Sequence, residues 1–273
     1  CSGVNFFTPN SLVQNNDKIK TQGLFGSVSF NFTDAFSASI EARYQKDDVK
    51  KGFLVAGATP ARIKDESWLP RAIVRWQPTD ATNVYASYAK GILPGVINSE
   101  VSQGTPRELA QYNAQFGGIA GIVKGDELDM YELGWKQEWL DRRARTSLAA
   151  YYGEWQGAKG RTLFIIQEDC GSFAHGGVAG ANAANGCPNG ATGLPALFPD
   201  GSRFTNSRNA NVPGDVKLYG LEAEGALLIT ERWDLRATLT YAKTEYTDFI
   251  FNFVQPIAGF TQMRQQVHFH RAR

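Results

Sequence analysis

The 273-residue chain carries 28 Lys and Arg against 27 Asp and Glu, a balance that excludes nucleic-acid recognition by bulk charge. Cys (3), His (3) and Met (2) are scarce while Gly (28), Phe (17), Tyr (10) and Trp (6) are plentiful, so metal and thiol chemistry have few residues to work with. No run of about 18 uncharged apolar residues is present, which excludes a transmembrane helix; a transmembrane strand needs only about 9 to 11 residues of alternating character, so the mean hydropathy of -0.32 still fits a membrane barrel.

The chain opens on Cys1 with no basic start leading into an apolar run, so it shows no signal peptide. The first clear pattern has a period of two. Phe30, Phe32, Phe36, Ala38, Ile40, Ala42 and Tyr44 alternate with Ser29, Asn31, Ser37, Ser39, Glu41 and Arg43, broken only by Thr33-Asp34-Ala35. That spacing predicts an antiparallel hairpin with one apolar and one polar face. A second hairpin follows from Ala72, Val74 and Trp76, through a turn at 77–82, into Val84, Ala86 and Tyr88. A third runs from Tyr131, Leu133 and Trp135 through Leu140-Asp141-Arg142-Arg143 to Thr146, Leu148, Ala150 and Tyr152. A fourth pairs Leu221, Ala223, Leu227 and Ile229 with Leu235, Ala237, Leu239 and Tyr241 across Thr230-Glu231-Arg232. The runs 161–167 and 249–254 are further strands or extensions.

Long connections join the hairpins, at roughly 47–66, 92–127 and 168–214. Compact soluble domains rarely carry several loops above about 12 to 15 residues. Tight turns at one end and long loops at the other are the signature of an outer-membrane barrel. An aromatic stands beside every tight turn: Phe32 and Phe36, then Trp76, Trp139 and Trp233, as a membrane-interface girdle requires. The polar positions Glu41, Arg43, Arg71, Arg75, Glu132, Lys136, Glu222, Glu224 and Arg236 all fall on the other face. So many mixed charges suit a wide, wet or plugged lumen better than a dry core. The fold expected is all-β: a partial antiparallel transmembrane barrel of about 8 to 10 strands in up-and-down hairpins. One domain spans 1–273, with strands over about 20–254 and the tail 255–273 unassigned.

Three stretches resemble barrel strands of TonB-dependent receptors: 83–95 (NVYASYAKGILPG), 129–157 and 216–249. Tyr131-Glu132-Leu133-Gly134 with Trp139-Leu140-Asp141-Arg142-Arg143, and Gly220-Leu221-Glu222 with Tyr246-Thr247-Asp248, are its most specific elements. The resemblance covers about 20–250. It implies a barrel of about 22 strands around a plug domain, in the outer membrane of a Gram-negative bacterium. Such a receptor imports a scarce nutrient of the siderophore-iron, cobalamin or oligosaccharide class. Its partners are outer-membrane lipid, a cargo and the TonB system, the last through N-terminal parts outside this sequence; no nucleic acid, cofactor or catalysis is implied. The chain departs from the pattern in showing no plug domain and in ending on Arg273 instead of a terminal aromatic, so both ends are read as truncations, or the last dozen residues as out of frame. The rival expectations are a complete small barrel acting as anchor, adhesin or narrow pore, and a soluble β-sandwich binding module.

Individual candidates have bland explanations beside them. Cys170 and Cys187 flank a Gly/Ala/Asn-rich loop facing an oxidising exterior; a disulfide there, worth about 3 kcal/mol, is favoured over two free thiols. Cys1 reads as an arbitrary boundary, not a lipidation site. His268 and His270 lack a third metal ligand, and His175 reads as a solvated loop residue. The glycines of 117–125 lack the Lys-Ser/Thr ending of a phosphate loop and read as a flexible exterior loop. Arg142, Arg143 and Arg145 read as solvated turn residues near lipid headgroups. Glu222 and Glu224 share a face at glycosidase-like spacing, but a polar lumen wall explains them without chemistry.

Overall fold

A computed structural model describes residues 15–53, 60–114, 119–172 and 181–248. The alternation read from the sequence becomes four antiparallel hairpins: β1 (Asn15–Asn31) with β2 (Phe36–Phe53), β3 (Ala61–Thr79) with β4 (Thr82–Leu93), β7 (Asp126–Trp139) with β8 (Ala144–Gln167), and β9 (Thr205–Thr230) with β10 (Trp233–Asp248). Between β4 and β7 lie two short strands, β5 (Val96–Ile97) and β6 (Ile122–Val123), and two helices, α1 (Ser99–Ser102) and α2 (Pro106–Ala114). The eight long strands form one sheet in the order β1-β2-β3-β4-β7-β8-β9-β10, while β5 and β6 form a separate ribbon. Among the described residues the sheet does not close on itself, so it is a partial barrel.

Register shows what the two faces are. Phe30, Ala38, Val74, Ala86, Leu133, Ala150, Leu221 and Tyr241 pair in one unbroken row across all eight strands. The next row, on the opposite face, reads Ser37, Arg75, Tyr85, Gly134, Ala149, Glu222 and Thr240. Since successive side chains in a strand point to opposite faces, one face is apolar and the other polar from edge to edge. The apolar face is bare: Val28 is 73% exposed, Ile40 65%, Leu133 59% and Leu239 71%. A soluble protein rarely exposes so continuous an apolar surface, and no second sheet covers it among the described residues. That excludes the soluble sandwich.

The turns fall where the sequence puts them. The first is closed by Ala35 N donating to Thr33 Oγ1 at 3.2 Å, and the second is only Asp80-Ala81, with Thr79 and Thr82 hydroxyls 2.9 Å apart. Leu140, Asp141 and Arg142 take φ of 53°, 53° and 68°, a left-handed run that costs non-glycine residues energy. Arg143 offsets part of it by donating to the carbonyl of Ile229 at 2.9 Å, and Arg142 pairs with Glu138 at 3.1 Å. Arg143 therefore ties its turn to the neighbouring one, a contact that the reading of it as a solvated turn residue did not foresee, while Arg142 stays within its own hairpin.

The strands run further than expected. β2 continues to Phe53, β3 begins at Ala61, β8 runs 24 residues and β9 26, so the loops expected at 47–66 and 168–214 are shorter. The 161–167 run is an extension of β8 and not a new strand; 249–254 lies outside the described residues, as do Cys1, His175, His268 and His270. A membrane crossing uses about 9 to 11 residues, so more than half of β8 and β9 projects beyond the bilayer as a ribbon. A bulge between Trp155 and Ala158 shifts the pairing in β8. It moves the even-numbered residues of β8 onto the polar face, where Thr162 and Ile166 join Ala210 of β9.

Candidate functional site: the polar face and its loop cap

The nine charged residues singled out in the sequence share one face, as the registers of their strands require. Glu41 stands opposite Arg71 and pairs with it at 3.5 Å. Arg43 sits beside them in the same strand, and Arg75 is paired in register with Tyr85. The Glu132 carboxylate accepts the Tyr85 hydroxyl at 2.5 Å. Tyr85 lies flat over Gly134: a Cβ there would fall 2.2 Å from its ring. Tyr151 lies over Gly220 in the same way, its hydroxyl oxygen 2.4 Å from where a Cβ would stand. A glycine in a strand interior often marks such a close approach. Near the short turns, Lys136, Arg145, Glu224 and Arg236 line an open cavity of about 430 Å³. Arg236 is paired with Asp234 at 2.9 Å, and Lys136 stands over the Tyr85 ring, 5.7 Å from its centroid. Mixed charge, hydrogen-bonding side chains and open space make this a polar, accessible wall. Among the described residues no group of His, Cys, Asp and Glu could hold a metal ion.

The apolar face carries aromatics at two levels. Phe36 and Trp76 are paired near the short turns, and Phe32, Trp139 and Trp233 are exposed beside theirs. Toward the long loops, Tyr88, Tyr131, Tyr152 and Tyr219 form one row across four successive strands. The tyrosine row was not singled out in the sequence, because only the pairing register aligns residues so far apart.

The long loops are the larger departure. The sequence shows no sign of contact between the long connections, yet they fold together. Val101, Tyr112, Ile119, Ile166 and Ala210 make a buried apolar cluster with Leu109 packed against it. Because β9 alternates without a break from Ala210 to Glu224, α1 and α2 pack on the same face that carries the wall's charges. Part of the 117–125 segment is also ordered, as β6 and the buried Ile119 show.

Polar side chains stitch this cap at atomic detail. Asn98, 5% exposed, donates from Nδ2 to the carbonyls of Ala120 (2.9 Å) and Asn211 (2.8 Å), and its Oδ1 accepts Asn211 N at 2.8 Å. Thr105-Pro106-Arg107-Glu108 is a capping box at the start of α2: Glu108 N donates to Thr105 Oγ1 at 3.2 Å while Glu108 Oε2 accepts Thr105 N at 3.0 Å. The other Glu108 oxygen accepts Asp169 N at 2.8 Å. Asp169 in turn accepts from Thr105 Oγ1 and pairs with Arg107. Gln111 mimics a strand, exchanging two hydrogen bonds of 2.7 and 2.8 Å with the backbone of Gln167. The Thr-Pro-Arg-Glu string was a legible helix start; its partner at Asp169 was not.

Cys170 and Cys187 are joined by a disulfide across a sequence separation of 17, packed with Ala181 and Ala196 under Ala191 and Phe204. Replacing both cysteines by serine is expected to lower the local stability of the cap by about 3 kcal/mol. Hydrogen exchange at the amides of 168–172 and 194–197 then speeds up roughly a hundredfold, with amides of the wall unchanged.

A family model described as TonB dependent receptor-like, beta-barrel matches residues 2–262. Among solved structures the chain is similar to the alcaligin outer membrane receptor FauA from Bordetella pertussis, with 18% identity, TM-score 0.51, and coverage of 85% of this chain and 31% of that one. It is similar also to the ferric yersiniabactin uptake receptor FyuA from Yersinia pestis, at 15% identity, TM-score 0.51, covering 85% of this chain and 28% of that one. The copper transporter OprC gives 12% identity and TM-score 0.54, covering 85% of this chain and 29% of that one. At these identities the likeness shows the fold, and the chain spans about a third or less of each structure's length. No curated protein matches the chain. The family is one of outer-membrane transporters and receptors and not of enzymes. With its open antiparallel sheet, bare apolar face and family match over nearly its whole length, the chain belongs to the TonB-dependent receptor β-barrels of the Gram-negative outer membrane.

Proposed function

We propose that this chain forms the cargo-receiving side of a nutrient-uptake receptor, with the cap as the surface that meets cargo outside the cell and the polar face as the lumen wall. The observation that carries this is the cap itself: two long loops folded as one ordered body against the polar face, at the end opposite the short turns. An ordered surface pre-organises a binding site, which lowers the entropy lost on capture. Glu41, Arg43, Arg71, Arg75, Glu132, Lys136, Glu222, Glu224 and Arg236 then line the lumen, and the apolar face meets lipid between the tyrosine row and the turn-side aromatics. Cys170–Cys187 acts structurally.

The cargo class we favour is a metal chelate of the siderophore-iron kind, ahead of cobalamin or an oligosaccharide, because similar structures include the alcaligin receptor FauA and the ferric yersiniabactin uptake receptor FyuA. The TonB system supplies the energy of uptake. A small closed barrel fits less well, since β1 and β10 are not paired with each other and a membrane-embedded sheet leaves no edge open.

The test is titration of the chain, assembled in detergent, with gallium-loaded hydroxamate and catecholate chelates, cobalamin and an oligosaccharide, following tryptophan fluorescence. Saturable quenching by one chelate class is expected. A linear, unsaturable response to all of them, with a strand-rich circular dichroism spectrum intact, overturns the reading.

A further inference from the structure

The polar face is not polar over its whole height. Two of its rows, on the long-loop side of Glu132 and short of the cap root at Asp126, divide between charge and apolar surface. In the first row Glu41 and Arg71 lead into Ala89, Met130, Gly153 and Leu218. In the second, Arg43 stands beside Leu69, and Leu128 leads into Trp155 and Val216. The charges are confined to β2 and β3. Along the long strands from β4 to β10 neither row carries one, although the rows nearer the short turns hold Glu132, Lys136, Glu222 and Glu224.

The apolar part of this tier is a packed surface. Met130 and Leu218 close over Gly153 from either side, since a Cβ there would meet Met130 Sδ and lie 2.9 Å from Leu218 Cγ. Trp155 is fixed by Nε1 donating to Asp126 at 2.8 Å. Leu128, Met130, Trp155 and Leu218 are half-buried, so each presents apolar surface on the side of the sheet that faces water. Such surface costs free energy until something covers it. The cations beside it are available. Arg43 is exposed and makes no ion pair among the described residues, and Arg71, 52% exposed, reaches Glu41 only at 3.5 Å. Asp47, nearer the long loops, is held instead by Thr21 at 2.6 Å and Gln45 at 2.7 Å. Arg71 and Met130 stand two strands apart, about 10 Å. A guanidinium fork matches a carboxylate, and a thioether beside aliphatic side chains suits an aromatic ring. Small-molecule sites combine such an apolar lining with a few placed polar groups.

We infer that this tier selects the cargo, and that the cargo it takes is an amphiphilic anion, with a carboxylate or phenolate head on Arg43 and Arg71 and an aryl arm on Met130 and Leu218. The inference rests on the reading of the chain as a nutrient receptor and names the chemistry of what that receptor accepts. Its test is calorimetric titration of the full chain, assembled in detergent and exchanged into amphipol so that no micelle competes for an apolar arm. The probes are gallium chelates: an anionic catecholate–carboxylate chelate with a benzyl arm, the same chelate without the arm, and a neutral trihydroxamate carrying that arm. The first is expected to bind roughly tenfold more tightly than either of the others. Arg43→Gln and Arg71→Gln are each expected to weaken both anionic chelates about tenfold and leave the neutral one unchanged. Leu218→Asn is expected to weaken both benzyl-bearing chelates about tenfold and leave the armless one unchanged. Arg43→Gln decides the charged side if Arg71→Gln does not assemble, and Met130→Gln the apolar side if Leu218→Asn does not. Chelates that bind without regard to charge or arm, or that the variants hold as the parent does, overturn this inference and leave the receptor reading standing; the tier then meets another part of the receptor. Failure of every chelate to bind overturns both.

Discussion

Glu108→Ala is expected to loosen the cap by about 4 kcal/mol, because the carboxylate is fully buried and each of its two backbone bonds, from Thr105 N and Asp169 N, is charge-assisted and worth about 2 kcal/mol. The alanine cannot accept either bond, so two amides at the junction of α2 and the disulfide loop lose their partner. Asp169 would lose the geometry in which Thr105 and Arg107 hold it. Hydrogen exchange across 105–112 and 167–170 measures the effect, with protection expected to fall roughly a thousandfold. Glu108→Gln keeps one acceptor oxygen and should lose about half as much. If the alanine variant exchanged at the parent rate, Glu108 would not be what joins the two loops.

The wall should be as intolerant at Gly134. A leucine there must displace the Tyr85 ring, since even a Cβ falls 2.2 Å from it, and overpacking of this kind costs about 3 kcal/mol or more. Displacing the ring also removes the hydroxyl that Glu132 accepts. The check is denaturant unfolding in detergent, with a double-mutant cycle against Tyr85→Ala. Gly134→Leu should be much less destabilising once the ring is absent, so the two changes are expected to couple by more than about 1 kcal/mol. Additive effects would mean that the ring and the glycine are not a packed pair.

Much of the wall was legible because alternation is a local property. Whether Glu132 or Leu133 faces the lumen is fixed once the strand exists, and the strand is announced by period two over a handful of residues. The tight turns were legible for a related reason: Thr33-Asp34-Ala35 and Thr230-Glu231-Arg232 interrupt the period. Pairs such as Glu41–Arg71 did not follow, because β2 and β3 are joined by a long connection and only the assembled sheet sets their register. Strand lengths did not follow, since the projecting parts of β8 and β9 are supported by the cap and not by the bilayer, and their residues, such as Gln167 and Asn211, carry no clean apolar alternation.

By itself, then, the sequence determined that this protein is a sheet of hairpins with one face for lipid and one for water, short turns at one end and long loops at the other. The tertiary structure alone decided that those loops are one body. Asn98 finds Asn211 across 113 residues and Glu108 finds Asp169 across 61, and such contacts are set by where the sheet brings distant loop roots together. The same holds for the parity change at the β8 bulge, which puts Ile166 under α2, and for the ring of Tyr85 over Gly134. Periodicity encodes the direction a residue faces; only the assembled sheet decides which residue of another strand or loop it meets there.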